Sequence, residues 1–228
     1  MKDIYKNKYT KSNDLELIHS TRIKVMREMI KCSGIDTDNS TVLDFGCYDG
    51  TFLSLLSPNK KNLFGIEASD YGVKSCREKS LNVKQFYLED TTIIPFDDAT
   101  FDLLVAGEII EHIYDTDHLL EEFYRVLKQK GKLIISTPNI SSLGRRLLLL
   151  VGKNPIIELS PNETDSSGHI RYFTFSTLTD LLKKHFFKVV DKRSDVVNLS
   201  GDGKLRLTTP ARLLPSIGQS IIILAVKD

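Results

Sequence analysis

Val42-Leu43-Asp44-Phe45-Gly46-Cys47-Tyr48-Asp49-Gly50 runs directly into Thr51-Phe52-Leu53-Ser54-Leu55-Leu56. A short apolar run ends in an acid, a Gly-x-x-x-Gly turn follows, and helix-compatible residues come next. This order predicts a strand, a tight turn and a helix. Open α/β sheets use that layout to present backbone N–H groups and a helix N-terminus to a ligand at the strand's C-terminal edge. Gly46 and Gly50 suit the turn because positive φ and close backbone approach to a ligand are easiest without a Cβ. A dinucleotide fingerprint needs Gly-x-Gly-x-x-Gly, and the third glycine is absent. Asp44 would repel a pyrophosphate and suits a ligand carrying an ammonium or sulfonium group. The alternative at this point is an ordinary strand-turn-helix junction without a ligand.

Outward from this turn, strand and helix patterns alternate. A helix is expected from Asp14 to about Gly34, with Leu15, Ile18, Ile23, Val25, Met26, Met29 and Ile30 at helical spacing. Residues 1–13 read as a flexible N-terminus, and 14–228 as a single domain. Strands are expected at 41–45, 62–66, 83–88, 101–106, 132–137, 186–190 and 220–226. Helices are expected near 51–57, 70–79, 116–128 and 142–151, with another capped by Ser176 or Thr177 and running through Lys184. Such alternation specifies an α/β fold, a Rossmann-like, seven-stranded, mostly parallel sheet with helices on both faces. Two stretches, 139–175 and 195–218, interrupt it and read as substrate-side insertions, because loops at this sheet edge carry specificity.

The 228 residues, 41% hydrophobic and 27% charged, suit one globular domain with a real core. A formal net charge of +1 gives no overall field towards nucleic acid, which is not an expected partner. Cys32, Cys47 and Cys76 lack metal-ligand spacing and suit a reducing compartment. The polar N-terminus carries no signal-like apolar core, and no run approaches the roughly 18 apolar residues of a membrane span. A cytoplasmic protein is the expectation.

The segment around Asp44 resembles motif I of the class I S-adenosylmethionine (SAM)-dependent methyltransferases, with Tyr48 standing where the usual pattern has its middle glycine. A second segment, Phe101-Asp102-Leu103-Leu104-Val105-Ala106-Gly107-Glu108-Ile109-Ile110-Glu111-His112-Ile113, resembles motif IV and the following turn of ubiquinone-type O-methyltransferases. The resemblance implies SAM as cofactor and a pocket built from Asp44, Gly46, Cys47, Gly50, Glu67, Ala68, Asp90, Thr91 and Glu108. Glu67, ending the second strand, would accept hydrogen bonds from the ribose hydroxyls. Asp90 would accept from the adenine amino group, with the Thr91 backbone near the ring.

Methyl transfer from a sulfonium is an in-line displacement, so the protein's task is to position the acceptor and remove its proton. His112 is the candidate base, with His169 in Gly168-His169-Ile170-Arg171-Tyr172-Phe173 the next candidate. Glu108, Glu111, His112 and His169 together resemble a divalent-metal set of ubiquinone and small-RNA 3′-end O-methyltransferases. The plainer reading, in which Glu-His only shapes the site, is preferred, and no metal is expected. Ser136-Thr137-Pro138-Asn139 with the 168–173 segment resembles methyltransferases of sugar and polysaccharide biosynthesis, which implies a small-molecule or saccharide acceptor. The basic-flanked run Arg145 to Lys153 could touch a membrane surface; a lid packed on its own protein is the preferred expectation. Oligomeric state is not legible. An RNA-end methyltransferase and a non-catalytic SAM-binding regulator are the competing functions. The charge opposes the first, and retention of His112 beside the cofactor residues opposes the second.

Overall fold

The computed structural model describes residues 20–87, 92–155, 168–198 and 206–228. In chain order the elements are α1 (Thr21–Cys32), β1 (Val42–Phe45), α2 (Thr51–Ser54), β2 (Leu63–Glu67), α3 (Asp70–Glu78), β3 (Asn82–Gln85) and β4 (Phe101–Gly107). They continue with α4 (Thr116–Val126), β5 (Leu127–Pro138), α5 (Leu143–Leu150), α6 (Phe175–Lys184), β6 (Phe187–Arg193), β7 (Val197–Asn198), β8 (Arg206–Leu207), α7 (Thr208–Leu213) and β9 (Ser220–Lys227). The main sheet has seven strands in the order β3-β2-β1-β4-β5-β9-β6, and β7 with β8 forms a separate small ladder. All pairings from β3 across to β5 are parallel, while β9 runs antiparallel to both β5 and β6.

Alternation along the strands sorts the core into two layers. On β4, Leu104 and Ala106 pack with Leu43, Ile135, Ile223 and the α4 and α6 residues Leu119, Phe123, Leu178 and Leu182. Leu103 and Val105 face the other way, towards Met26 and Met29 of α1, Phe52 of α2 and Cys76 of α3. The chain moves outward from β1 to β3 and then returns to place β4 on β1's other side. That reversal opens a crevice at the C-terminal ends of β1 and β4, where open α/β sheets take ligands.

The expected Rossmann-like sheet is present, and several boundaries differ for local reasons. Helix α2 stops at Ser54 because the Leu55 and Leu56 N–H groups donate to Phe52 and Leu53 three residues back, tightening the turn. Strand β5 begins at Leu127, earlier than expected, because α4 passes directly into it and Leu127 pairs with Phe101 before the register shifts. Thr174, rather than Ser176 or Thr177, caps α6: its hydroxyl accepts from Thr177 N–H, and the Thr177 hydroxyl accepts from Thr174 N–H. The expected flexible segment 1–13, the first residues of the N-terminal helix, and residue 88 of the third strand lie outside the described residues.

The insertions are tied together at the sheet edge. Asn139 N–H donates to Gln219 O, and its Nδ2 donates to Ser216 O and Gly218 O at 3.0 and 2.9 Å. The Asp195 carboxylate accepts from both the N–H and the hydroxyl of Ser220, each at 3.0 Å, fixing the start of β9. Among the described residues no helix is long and apolar enough to cross a membrane.

Removing the α6 cap should be a mild fold defect. Thr174→Ala is expected to cost about 1 kcal/mol and lower the melting temperature by roughly 2–4 °C in a thermal scan.

Candidate active site

Residues 46–50 carry the chain from β1 into α2 as a left-handed turn. Gly46 and Gly50 have φ of 82° and 76°, as expected for a glycine turn. The close approach made possible is to the protein itself: a Cβ on Gly46 would lie 2.2 Å from Ile109 Cδ1, and one on Gly50 would lie 2.3 Å from Leu81 Cδ1. Gly46 and Cys47 N–H both donate to Ile66 O, at 2.8 and 3.0 Å, so the turn is held to β2. Tyr48 also has positive φ, 48°, and its N–H donates to Glu67 Oε2 at 2.8 Å while its ring lies 6.0 Å from that of Tyr71. A tyrosine is therefore held in a conformation that glycine adopts more readily.

Glu67 links two backbones. Its Oε2 takes the Tyr48 N–H, and its Oε1 takes the Ser69 N–H at 2.7 Å. Each carboxylate oxygen keeps a second lone-pair direction for a hydroxyl donor. Asp44 is different. It is 4% exposed, and among the described residues no donor reaches its carboxylate. Burial, and secondarily the Glu67 charge, push its pKa up to about 7. A buried acid without a donor, beside a second acid, is a site for a cation, which fits the ammonium of a bound SAM. Cys47 lies on the same wall. Its thiol, 3.7 Å from Cys76 Sγ, is pushed well above the usual thiol range by that hydrogen bond and by burial, so it lines the wall as an inert group. Ala68 lies at the rim, its carbonyl accepting from Gln85 Nε2 at 3.1 Å. Asp90 and Thr91, expected near the adenine, lie outside the described residues.

The second half of the site follows β4. Glu108 has φ of 58° and turns back onto the sheet, where Ser136 Oγ–H donates to Oε1 at 3.1 Å. Arg22 of α1 reaches Glu108 Oε2 at 2.9 Å. The sequence contains no local cue to that pair, because α1 precedes β4 by most of the half-domain. A 3₁₀ turn, Ile110–His112, then brings Glu111 and His112 inward. Glu111 is fully buried, with Oε2 accepting from Thr137 Oγ1 at 2.9 Å. Its Oε1 is buried without a hydrogen-bond partner, and His169 Nε2 lies 3.7 Å from it. Burial, then the nearby Glu108 charge, raise the Glu111 pKa to about 8.

Glu111 O also accepts from Ile170 N–H and Arg171 N–H, at 2.9 and 3.1 Å, drawing the 168–173 segment over the site. The His112 and His169 rings lie 4.8 Å apart, and His112 Nδ1 lies 3.1 Å from Gly168 O. A carbonyl only accepts, so this contact assigns a proton to Nδ1, and in the neutral ring Nε2 is then the basic nitrogen of His112. Ligand atoms of Glu111, His112 and His169 lie within 4.8 Å of one another, so these three could hold a divalent ion. Glu108, the fourth member of the expected set, is instead engaged by Arg22 and Ser136.

Residues 18–192 match the family described as a methyltransferase domain. The chain is 25% identical over 185 residues to a ubiquinone biosynthesis O-methyltransferase of Coxiella burnetii, covering 79% of this chain and 75% of that one. A probable SAM-dependent methyltransferase of Mycolicibacterium smegmatis is 27% identical over 163 residues, 71% of this chain and 55% of its own length. Among solved structures, a possible histamine N-methyltransferase from Thermotoga maritima covers 100% of both chains with a TM-score of 0.71 at 19% identity. A magnesium protoporphyrin IX methyltransferase from Synechocystis, solved with bound S-adenosylhomocysteine, has a TM-score of 0.62 at 14% identity, covering 99% of this chain and 92% of the other. The chain belongs to the class I SAM-dependent methyltransferase family. SAM is its cofactor.

Asp44→Asn separates binding from folding. Loss of a charge-assisted contact should weaken SAM binding by about tenfold to a hundredfold in calorimetry. The apo protein should respond oppositely. Between the unfolded value of 3.8 and about 7, folded Asp44 keeps a proton that the unfolded chain has released, so apo stability falls as pH rises through that window. Above about pH 7 the Asn variant should therefore melt higher than the parent in the absence of cofactor; a lower melting temperature would contradict the cost assigned to the buried charge.

Proposed function

We propose that this methyltransferase transfers the methyl group to a hydroxyl of a small-molecule or saccharide acceptor, with His112 as the base. The observation that carries this reading is the tautomer imposed on His112 by Gly168 O, which leaves Nε2 as a proton acceptor within the site. An oxygen acceptor needs such a base, because a neutral hydroxyl is a poor nucleophile. The Coxiella relative, named for O-methylation, supports the choice of oxygen. The net charge of +1 and a site edged by acids argue against an RNA end as acceptor.

In the proposed arrangement Asp44 pairs with the cofactor's ammonium, and Glu67 accepts from its ribose while its own two backbone contacts keep the turn in place. Gly46, Cys47, Gly50 and Ala68 line the wall between them. Glu108, held by Arg22 and Ser136, closes the end of the pocket nearest β4. Bound SAM supplies an electrophilic methyl on a sulfonium. His112 Nε2 takes the acceptor's hydroxyl proton as the oxygen attacks. His169 lies beside His112, with its Nε2 3.7 Å from Glu111 Oε1. A positioned base of this kind contributes roughly 10²–10⁴-fold. This mechanism needs no metal.

His112→Ala should keep SAM affinity within about twofold while turnover falls by about a hundredfold or more. Retained turnover would move the base to His169. Chelator treatment should leave turnover unchanged; its loss, with restoration by a divalent ion, would replace the base by an ion on Glu111, His112 and His169. With methyl-labelled SAM and a panel of paired hydroxyl and amine acceptors, mass spectrometry should find the label on oxygen, and label on nitrogen alone would contradict the proposal.

A further inference from the structure

Helix α5, expected as a lid packed on its own protein, instead leaves Leu147, Leu149, Leu150 and Val151 exposed. The segment that does lie against the two imidazoles is 168–173. Arg171 anchors it: its N–H donates to Glu111 O, and its side chain reaches back to the other chain crossing. There Nε donates to Ile113 O at 2.9 Å and Nη2 donates to Tyr114 O. The guanidinium carbon lies over the Tyr114 ring, 5.9 Å from its centroid, and Tyr114 is 66% exposed. One cation and one aromatic ring therefore stand together at the surface.

Their place in the chain ties them to the chemistry. Tyr114 follows His112 by two positions and Arg171 follows His169 by two, at most about 7 Å of extended backbone in each case. The two imidazoles are themselves 4.8 Å apart. Nearby acids are engaged elsewhere. The Glu111 carboxylate faces Thr137 and His169, and Asp115 caps α4 by accepting from His118 N–H at 2.9 Å. Among the described residues no carboxylate lies within ion-pair reach of Arg171, and the acceptors of its side-chain hydrogen bonds are carbonyls.

Carbonyls orient a guanidinium without cancelling its charge, and the donors left over in its planar fork match a carboxylate or phosphate. The exposed ring beside it suits the apolar face of a sugar. A single cation answers a single oxyanion; a nucleic-acid strand would need several. Asp44 and Glu67 belong to the cofactor half, so the acceptor half presents the opposite sign of charge.

We propose that Arg171 and Tyr114 form the acceptor subsite and select a saccharide ring that carries a carboxylate or phosphate, an inference that rests on the hydroxyl-acceptor reading above. The test is NMR titration of the full chain, saturated with S-adenosylhomocysteine, with glucuronate and with α-glucosyl phosphate, each against glucose. At least one charged sugar should bind about tenfold more tightly than glucose, and the preference should shrink as salt is raised. Comparing the two charged sugars tells carboxylate from phosphate. Arg171→Gln should abolish the preference and leave glucose binding unchanged, while Arg171→Lys should keep part of it. Tyr114→Ala should weaken charged and neutral sugars alike, by about fivefold. The proposal is overturned if neither charged sugar outbinds glucose, or if the preference persists in Arg171→Gln. It is also overturned if Arg171→Lys loses the preference as completely as Arg171→Gln and both melt lower, since Arg171 would then only brace residues 113–114. Methyl transfer to nitrogen, or turnover surviving in His112→Ala, would instead sink the hydroxyl reading and leave the charge preference standing.

Discussion

The Glu67 carboxylate is the tie on which the rest of the site depends. With one oxygen it receives the Tyr48 N–H from the turn after β1, and with the other the Ser69 N–H at the start of α3. Two segments that would otherwise leave backbone donors orphaned at the sheet edge are thereby held at one carboxylate. Tyr48 can then hold a positive φ that a tyrosine seldom adopts unaided. The same carboxylate places a negative charge next to Asp44, and burial does the rest. The result is an acid held near the midpoint of its titration until a cation arrives. A buried acid beside a second acid favours a cationic neighbour over an anionic one.

The second half of the site is organised by a chain of contacts across three elements. Arg22 on α1 holds Glu108, Glu108 lies beside Glu111, and the Glu111 carbonyl takes the N–H groups of Ile170 and Arg171. The 168–173 segment consequently arrives with Gly168 O against His112 Nδ1, which fixes the imidazole's tautomer. The N-terminal helix, remote in sequence from motif IV, thus reaches Glu108 through one guanidinium. Replacing it would remove the ion-pair partner of Glu108 and leave Ser136 as the remaining contact described for that carboxylate.

Much of this was legible in the chain. The glycine turn after an apolar run marked the junction of β1 and α2, and the alternation of strand and helix periods required a mostly parallel sheet. The Glu-x-x-Glu-His run and the later His169 were read as one set, and the structure brings Glu111, His112 and His169 together. What could not be read has a common cause, long-range contact. Nothing near Arg22 signals Glu108, and nothing near Gly46 signals that the space it leaves is taken by Ile109. The leucines of α5 carry a helical pattern that reads as a face packed on the domain, and only the three-dimensional placement shows Leu147, Leu149, Leu150 and Val151 exposed. Thr177 looked like a cap because it is a good one by type; it serves instead as the return half of a capping box begun by Thr174.

The central claim is that Asp44 waits as a buried acid, partly protonated near neutrality, and is ionised by the arriving cofactor. Calorimetry of SAM binding in buffers of differing ionisation enthalpy measures that proton directly. At a pH well below 7 the binding heat should report release of about one proton, declining towards none above that pH, and the release should be absent in a variant lacking the Asp44 carboxyl. Binding heats that are independent of buffer across the whole range would contradict the account.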